Sequence, residues 1–500
     1  MFANRYVRAL TQPEQQLFNL LPEANSDAVR VKYAPAMPIA MTPAVQPVTP
    51  TATPLVPPIS QKAASLGENP GVLPVGGRQA WTFSGSKGTL LIIEARADNP
   101  ATGVLDPTEQ VRRGLLDTFL TVWNPDGALI AQNDDFPSGK DTNARIDLVL
   151  PDNGPFTIEV RSAQDHTGGS YKLVITPVQL GTELSQVSFK DQQRGVWAVT
   201  LSSDGRYALS SLGPERSFYN VYNTGSMSLW DLVDPTHPRE IRRFNESNAQ
   251  HTMSVAAISF CPGDHAMISA SWDQTMVTWN IDTGQPVQNL VGHWAAVWDL
   301  ACLYGTNTAI SSGFDGSLIL WDLQTGKEIR RFQHGPKMYS SIYAVAVSPD
   351  NKTVLSASTD GWVKVWDVAS GQQLRQFSQP AGATSVAFNS DGHTIASGDT
   401  DGNIVLWDIN SGQIIRQLVG HRENNWVNDL NFSSDGRYLV SASFDGTVRL
   451  WDVATGRELV RFVGHTGPIW SAVISADNRL IVSAALDDTL RIWKIPAGIR

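Results

Sequence analysis

The chain has 500 residues, of which 42% are apolar, enough for more than one globular core, so a disordered protein is excluded. Its formal charge of −10 argues against a broad basic surface, and nucleic acid is therefore not an expected partner. Cys261 and Cys302 are the only cysteines, which excludes a disulfide framework and a cysteine-rich zinc site. We expect both to be small apolar residues of inner strands.

The first 69 residues contain little that predicts a folded domain. Residues 1–33 include one short amphipathic run, EQQLFNLL, which could form a single helix. Residues 34–69 begin with a stretch rich in proline and threonine, whose apolar residues follow no helical or strand period, so we predict a semi-extended linker there.

Targeting and membrane signals are also missing from this sequence. No run approaches the roughly 18 consecutive apolar residues of a membrane span, and the first residues lack the apolar core of a secretory signal. The default expectation is a cytoplasmic protein without a membrane span. An extracytoplasmic location stays open if the amino terminus is incomplete.

Residues 70–178 consist of short alternating segments such as TLLIIEAR, TFLTVW and FTIEV, separated by turn signals such as NPDG and PDNG. This texture predicts a small antiparallel β-sandwich. The remainder of the chain, residues 183–500, is dominated by an internal repeat.

Seven tryptophans mark the repeat, because each ends an apolar strand, at intervals of 41 to 49 residues. An aspartate lies six residues before the tryptophan in the last six units, usually followed by glycine, which predicts a hairpin between the second and third strands. Five units also have a histidine 22 to 26 residues before that aspartate.

This spacing resembles the WD-repeat family, and the resemblance implies an all-β, seven-bladed β-propeller. In that family the histidine, a serine, the aspartate and the tryptophan of each blade form a hydrogen-bonded chain. Buried polar groups of this kind must satisfy one another, so the resemblance implies a structural role rather than a catalytic one. The matching residues are Trp230, His251, Asp273, Trp279, His293, Asp315, Trp321, His334, Asp360, Trp366, Asp401, Trp407, His421, Asp445, Trp451, His465, Asp487 and Trp493.

Two units depart from the pattern, and the last of the seven units lacks a fourth strand. Pro380 stands at the histidine position of the fifth unit, and Gln192 stands there in the first. The last unit ends at its third strand and would leave an open sheet edge. The segment 182–189 aligns with the outer strands, so we expect it to close the seventh blade.

Residues 70–178 also resemble the bacterial pre-peptidase C-terminal domain family, through LLDTFLTVWNPDGALIAQNDD and the strands that follow. Its members are small β-sandwich accessories of exported proteins. Oxygen ligands for Ca²⁺ could converge in this domain, although a solvated turn is the other interpretation of the same residues. The candidate ligands are Asp117, Asn133, Asp134, Asp135 and Asp141. We expect no other cofactor.

The repeat register also places several aromatic residues around one mouth of the central channel. The positions that begin each inner strand are Trp197, Ala256, Trp298, Tyr343, Thr384, Asn428 and Trp470. The residues before the turn aspartates are Trp272, Phe314, Thr359, Thr400, Phe444 and Leu486. Aromatic side chains often anchor protein interfaces, although these rings could equally pack between blades and fill the channel.

Three functions are compatible with this sequence. The first is a non-catalytic scaffold that binds a protein or peptide through Trp197, Trp272, Trp298, Phe314, Tyr343, Phe444 and Trp470. The second is an extracytoplasmic binder of surface proteins or polysaccharides. The third is a propeller-based hydrolase or lyase, for which Asp299 and Asp429 are the only acids near the mouth. We expect the first, with no enzymatic activity, since no nucleotide-binding, HExxH or CxxC motif occurs.

Overall fold

The computed structural model describes residues 61–499, except 75–76, 99–115, 117, 134–142, 163–168, 190–193, 216–224, 245–249, 262–265 and 336–339. The chain is all-β in this part, apart from one 3₁₀ turn at Ala497–Ile499. Contacts divide it at Gly181 into an amino-terminal and a carboxy-terminal unit. The predicted amino-terminal helix and the linker up to residue 60 lie outside the described residues.

The amino-terminal unit contains two sheets. The first has the order β1-β3-β8-β5-β6, formed by β1 (Gln61–Ala63), β3 (Arg78–Gly85), β8 (Gly154–Ser162), β5 (Thr118–Trp123) and β6 (Leu129–Asn133). The second has the order β2-β9-β4-β7, formed by β2 (Gly67–Leu73), β9 (Gly169–Leu180), β4 (Leu90–Ala97) and β7 (Ala144–Val149). Strands β1 and β2 therefore begin within the range where we expected linker.

One hydrophobic core is shared by these two sheets. Leu120 and Ile158 from the first sheet and Ile93 and Leu173 from the second belong to the same buried cluster. Along β8 the side chains alternate between buried and partly buried positions, as a strand with one face on a core requires. Trp81 Nε1 donates to the hydroxyl of Tyr171 at 2.7 Å, which satisfies a buried indole between the two sheets.

The carboxy-terminal unit consists of four-stranded antiparallel groups that follow one another along the chain. In each group the strands pair in sequence order. The first three groups are β11 (Arg194–Leu201), β12 (Tyr207–Glu215), β13 (Met227–Asp231) and β14 (Arg239–Phe244); β15 (Val255–Phe260), β16 (Ala266–Ser271), β17 (Thr275–Asn280) and β18 (Pro286–Val291); and β19 (Val297–Cys302), β20 (Thr308–Gly313), β21 (Ser317–Asp322) and β22 (Lys327–Gln333).

The next three groups have the same arrangement. They are β23 (Ile342–Val347), β24 (Thr353–Ser358), β25 (Trp362–Asp367) and β26 (Gln373–Ser378); β27 (Ala383–Phe388), β28 (Thr394–Asp399), β29 (Ile404–Asp408) and β30 (Ile414–Leu418); and β31 (Val427–Phe432), β32 (Tyr438–Ser443), β33 (Thr447–Asp452) and β34 (Glu458–Val463).

The last group combines both ends of this unit. Strands β35 (Ile469–Ile474), β36 (Leu480–Ala485) and β37 (Thr489–Lys494) are completed by β10 (Thr182–Ser188), which pairs antiparallel with β37. The segment predicted to close the repeat therefore supplies a fourth strand. A buried cluster that contains Val196, Trp230 and Ile492 joins this sheet to the β11–β14 sheet.

The predicted hairpin between the second and third strands is present, and the structure shows where its Asp-Gly pair lies. In the β32–β33 hairpin, the amide of Gly446 donates to the carbonyl of Ser443 at 3.2 Å, so Asp445 lies inside the turn and Gly446 follows it. Gly446 has a φ of 78°, which glycine adopts without strain. This is the longer hairpin loop in which a turn is followed by a left-handed residue.

The two cysteines form a disulfide, whereas the sequence predicted that they act only as small apolar residues. Cys261 follows β15 and Cys302 ends β19, and the two form a disulfide between consecutive sheets, with a Cα–Cα distance of 5.8 Å. Cys261 is buried in an apolar cluster, as predicted, and Cys302 packs against the same cluster. The prediction missed the bond because sequence separation alone does not show which residues of neighbouring sheets meet.

Candidate functional site

A hydrogen-bonded chain lies inside the sheets that follow the repeat pattern most closely. In the β31–β34 sheet, Trp451 Nε1 donates to Ser441 Oγ at 2.8 Å, and Ser441 Oγ lies 2.7 Å from His421 Nε2. His421 Nδ1 lies 2.8 Å from Asp445 Oδ2. The same chain, with distances of 2.7 to 3.0 Å, links His251 to Asp273, Ser269 and Trp279, His293 to Asp315, Ser311 and Trp321, and His465 to Asp487, Ser483 and Trp493.

Electrostatics within these chains favour neutral histidine and ionised aspartate. Burial lowers the pKa of His421 and His465 below the ordinary value. Burial by itself would raise the pKa of Asp487, but hydrogen bonds from His465, from the Thr489 hydroxyl and from the amide of Thr466 lower it to about 2. Each chain is therefore internally satisfied, as a structural element requires.

Three sheets depart from this chain. His334 contacts Ser356 through Nδ1 at 2.7 Å, and its Nε2 lies 3.5 Å from Asp360 Oδ1, while Trp366 Nε1 donates to Ser356 at 2.9 Å. In the β11–β14 sheet, Trp230 Nε1 donates to Ser210 Oγ at 2.9 Å. Gln192, which we expected to replace histidine there, lies outside the described residues.

In the β27–β30 sheet, Gln379 takes the place that we assigned to Pro380. Gln379 Nε2 donates to Ser397 Oγ, which also accepts from Trp407 Nε1 at 2.7 Å. The backbone amide of Gln379 donates to Gly361 as that of His334 donates to Gly316, so the two residues are equivalent. The fully buried carboxylate of this sheet belongs to Asp399, which accepts from Asn403 Nδ2 at 2.8 Å, whereas Asp401 is only partly buried.

The seven positions predicted to surround the mouth all line one channel. Its volume is about 370 Å³, and residues of every first strand from β11 to β35 contribute to its wall. Trp197, Trp298 and Trp470 approach one another across it, with ring centroids 5.2 to 5.8 Å apart. These three rings therefore narrow one end of the channel instead of lining an open rim.

A continuous aromatic cluster surrounds these three tryptophans. Trp272 and Phe314 pack against Trp298 with centroids 5.7 and 4.8 Å apart, and Tyr343 lies 5.0 Å from both Trp298 and Phe314. Phe444 joins at 5.0 Å from Trp470. All seven residues predicted to bind a partner thus belong to one cluster, which we call the aromatic mouth together with Trp426.

Trp426 was not among the residues predicted from the sequence, although its place just before an inner strand was a signal. Trp426 stacks on Phe444 with centroids 5.5 Å apart and an interplanar angle of 5°, and it meets Tyr343 edge-on. The aromatic mouth has two layers. Trp197, Trp272, Phe314 and Tyr343 are buried, whereas Trp298, Trp426, Phe444 and Trp470 keep part of their surface exposed.

Hydrogen bonding in the aromatic mouth is incomplete. Within the described part of the chain, the buried indole nitrogens Nε1 of Trp197 and Trp470 have no hydrogen-bond partner. Trp197 also packs very close to the backbone of β12, since a Cβ on Gly213 would lie 2.3 Å from its Nε1. The tryptophans inside the sheets, by contrast, all donate to a serine.

Two carboxylates lie in the channel wall behind the mouth. Asp299 Oδ2 accepts from the amide of Val345 on the next sheet at 2.8 Å, and Asp429 Oδ2 accepts from Ser471 Oγ at 2.8 Å and from the amide of Ala472 at 3.1 Å. Burial raises the pKa of Asp299 to about 7 and that of Asp429 to about 6, and the charge of Asp429 adds to the shift of Asp299. Both acids therefore connect neighbouring sheets.

The possible calcium site falls largely on residues that the structure does not describe. Asp117, Asp134, Asp135 and Asp141 lie outside the described residues. Asn133 is described, and its Nδ2 donates to the carbonyl of Arg145 at 2.8 Å. Among described residues, no group of three or more His, Cys, Asp or Glu side chains is placed to hold a metal ion.

The profile of the family described as "WD domain, G-beta repeat" matches residues 243–280, 284–322, 326–367, 371–408, 412–452 and 456–494. Residues 243–494 are six WD40 repeats. They include all the complete histidine chains described above, and the matched range begins at residue 243, near the end of β14. The resemblance of residues 70–178 to the pre-peptidase C-terminal domain family gains no support from these matches and stays a prediction.

A similar protein in Mus musculus is named "Peroxisomal targeting signal 2 receptor". It is 24% identical to this chain over 110 residues, which are 22% of this chain and 30% of the receptor. The chain thus matches less than a third of the length of that relative.

No helix in the described residues has the length and apolar character needed to cross a bilayer.

Proposed function

We propose that this protein is a non-catalytic scaffold that binds a protein or peptide at the aromatic mouth. The proposal rests mainly on the exposed layer of that cluster, Trp298, Trp426, Phe444 and Trp470. Large aromatic side chains bury much surface with few rotatable bonds, and they are frequent anchors of protein interfaces. WD40 repeats support a protein-binding role as well.

The architecture in this proposal is a seven-bladed β-propeller preceded by a β-sandwich. The six matched repeats would be six blades, and the β11–β14 sheet would be the seventh. Contacts between successive first strands, and between β35 and β11, support a closed ring. The shared core of the two amino-terminal sheets supports a sandwich. A closed ring would hold the aromatic residues of different blades at fixed distances.

The chemistry of the described mouth favours an uncharged, apolar segment of the partner. The eight clustered residues carry no formal charge, and Asp299 and Asp429 in the channel wall are engaged by backbone amides of the next sheet. An apolar side chain or a proline-containing segment could lie against the exposed rings without burying an unpaired charge. The name of the mouse relative, a receptor for a targeting signal, is in keeping with peptide recognition.

Absence of catalysis is part of this proposal. Residues that resemble catalytic groups, the buried histidines and aspartates, recur from sheet to sheet and satisfy one another within each sheet. A catalytic centre would instead require a group of reactive side chains that occurs once and faces a substrate-sized opening. We therefore assign these residues to stability and not to turnover.

The experiment is crosslinked affinity purification from the native host, using the full chain and a Trp426→Ala, Trp470→Ala variant. The matched control is Tyr304→Ala, which removes an exposed aromatic ring beyond the opposite end of β19. We expect a partner to be recovered with wild type and control and lost, at least tenfold, with the mouth variant. All three proteins must melt within about 3 °C of one another. Equal recovery with a folded mouth variant would overturn the proposal.

A further inference from the structure

The disulfide between Cys261 and Cys302 joins two consecutive sheets of the carboxy-terminal unit. The bonded residues are 41 positions apart, about one repeat, and Cys302 ends the strand that carries Trp298. The two sheets also share an apolar cluster that includes Leu300 and Trp321. The bond therefore adds a covalent link across one seam between sheets.

Cys261 departs from the residues at its position in the other sheets. The residue after the first strand is Ser202, Ser348, Asn389, Ser433 or Ser475 in five of them. Four of these side chains are serine hydroxyls that donate to the aspartate of the following turn at 2.6 to 2.7 Å. A thiol is a weaker hydrogen-bonding group, so Cys261 gives up a turn contact that four of the other sheets have.

Cys302 departs from a second pattern. The last residue of the first strand is otherwise large and apolar, namely Leu201, Phe260, Val347, Phe388, Phe432 and Ile474. Cysteine is smaller than all of these and fills less of the space between sheets, which costs packing energy. The two departures occur in neighbouring sheets and bring the two sulfur atoms together, so each loss is offset by the same bond.

We propose that the Cys261–Cys302 disulfide is a reversible clasp that a cellular dithiol opens, loosening the seam between the β15–β18 and β19–β22 sheets. Residue Cys302 is partly exposed whereas Cys261 is buried, so we expect the dithiol to attack at Cys302. The inference is independent of the proposed function. It concerns a link between sheets and requires no partner at the aromatic mouth.

The chemistry is ordinary thiol–disulfide exchange. One thiolate of the dithiol attacks the sulfur of Cys302, the S–S bond breaks, and the sulfur of Cys261 leaves as a thiolate that takes up a proton. The second thiol of the reductant then attacks the mixed disulfide and releases Cys302 as a thiol. The protein gains two protons and two electrons, and the reductant loses the same number and becomes a cyclic disulfide.

The seam that the clasp spans also passes through the aromatic mouth. Trp272 follows β16 in one of the joined sheets and Trp298 lies on β19 in the other, with ring centroids 5.7 Å apart. Opening the clasp removes a constraint on the distance between these two sheets. We therefore expect a change in tryptophan fluorescence to accompany reduction.

The test uses the full chain, dithiothreitol as the dithiol, and a maleimide that reports free thiols by mass. We expect no labelled cysteine in the air-oxidised native protein and two after dithiothreitol. Reduction should lower Tm by roughly 5 °C, since the bond closes a loop of about 40 residues. Oxidised glutathione should restore both values.

The control is the double variant Cys261→Ser, Cys302→Val, which carries the residues that another repeat has at these positions, Ser348 and Val347. Its Tm and fluorescence should not respond to dithiothreitol. Two labelled thiols in air-oxidised protein would overturn the proposal, as would a wild-type Tm that reduction leaves unchanged. A Tm shift of equal size in the double variant would also overturn it, because the effect would then not come from this bond.

Discussion

The interiors of the sheets and the channel use the same residue types in opposite ways. Inside the sheets, Trp451 and Trp493 donate to serine at 2.8 Å, and their aspartates have a lowered pKa. Around the channel, Trp197 lacks a partner for its indole among the described residues, and the pKa of Asp299 is raised. The difference is whether the hydrogen bonds that each polar group makes outweigh the cost of burying it.

This contrast separates residues that maintain the fold from residues that are available for another role. A polar chain that recurs in several sheets contributes similarly in each one, so its purpose is stability. The aromatic mouth occurs once and retains an exposed layer, Trp298, Trp426, Phe444 and Trp470. Perturbing the two regions should therefore have different consequences for stability and for pH dependence.

The largest loss of stability is expected from a substitution in the interior of a sheet. His421→Ala removes contacts to Ser441 and Asp445 and leaves a buried carboxylate without its imidazole. We expect a loss of about 3 kcal/mol in the free energy of unfolding, measured by urea denaturation. A loss below about 1 kcal/mol would show that Arg449, 3.2 Å from Asp445, is sufficient to hold the carboxylate.

A smaller effect is expected in the β27–β30 sheet, where no imidazole–carboxylate pair is present. Gln379→Ala removes one neutral hydrogen bond to Ser397, so the loss should be about 1 kcal/mol. Running both alanine variants in the same urea titration compares the sheet that has glutamine with the one that has histidine. If Gln379→Ala costs as much as His421→Ala, the ionised aspartate adds nothing to the chain.

A third effect is expected in the channel, and it depends on pH. The pKa of Asp299 is raised from 3.8 to about 7, so the folded protein holds a proton that the unfolded chain releases, and stability falls as pH rises from about 4 to 7. Asp299→Asn keeps an oxygen to accept from Val345 and carries no charge. It should raise Tm by about 2 °C at pH 8 and leave it unchanged at pH 4.

The stability contributed by the sheet interiors should change with pH in the direction opposite to that contributed by Asp299. The pKa of His465 is lowered below its ordinary 6.5 and that of Asp487 to about 2. Their contribution is present at neutral pH and is lost as pH falls, first below 6.5 through the histidine and then from about 4 to 2 through the aspartate. A thermal scan of Asp299→Asn beside wild type, from pH 4 to pH 8, separates the two contributions. A Tm difference that does not change with pH would contradict the assignment to Asp299.

Residue spacing predicted the polar residues of most repeats. It did not predict the residues that depart from the common pattern. The chain from His465 to Trp493 follows directly from a shared register, because strands of similar length bring equivalent positions together. Gln379 was missed because the loop before it is shorter, and the backbone bond to Gly361 shows the correct alignment. Trp426 was missed since it lies in a loop, outside the strand positions from which the mouth was counted.

The sequence by itself determined the all-β class, the WD40 repeats and the residues of the four complete polar chains, since periodic spacing dictates which residues of one sheet are in contact. Only the tertiary structure decided which residues of neighbouring sheets are in contact. In the folded chain Cys261 is bonded to Cys302, Asp299 accepts a hydrogen bond from the amide of Val345, and the tryptophans narrow one end of the channel. Contacts of this kind depend on the angle and distance between neighbouring sheets, which result from packing many side chains at once and leave no local pattern along the chain.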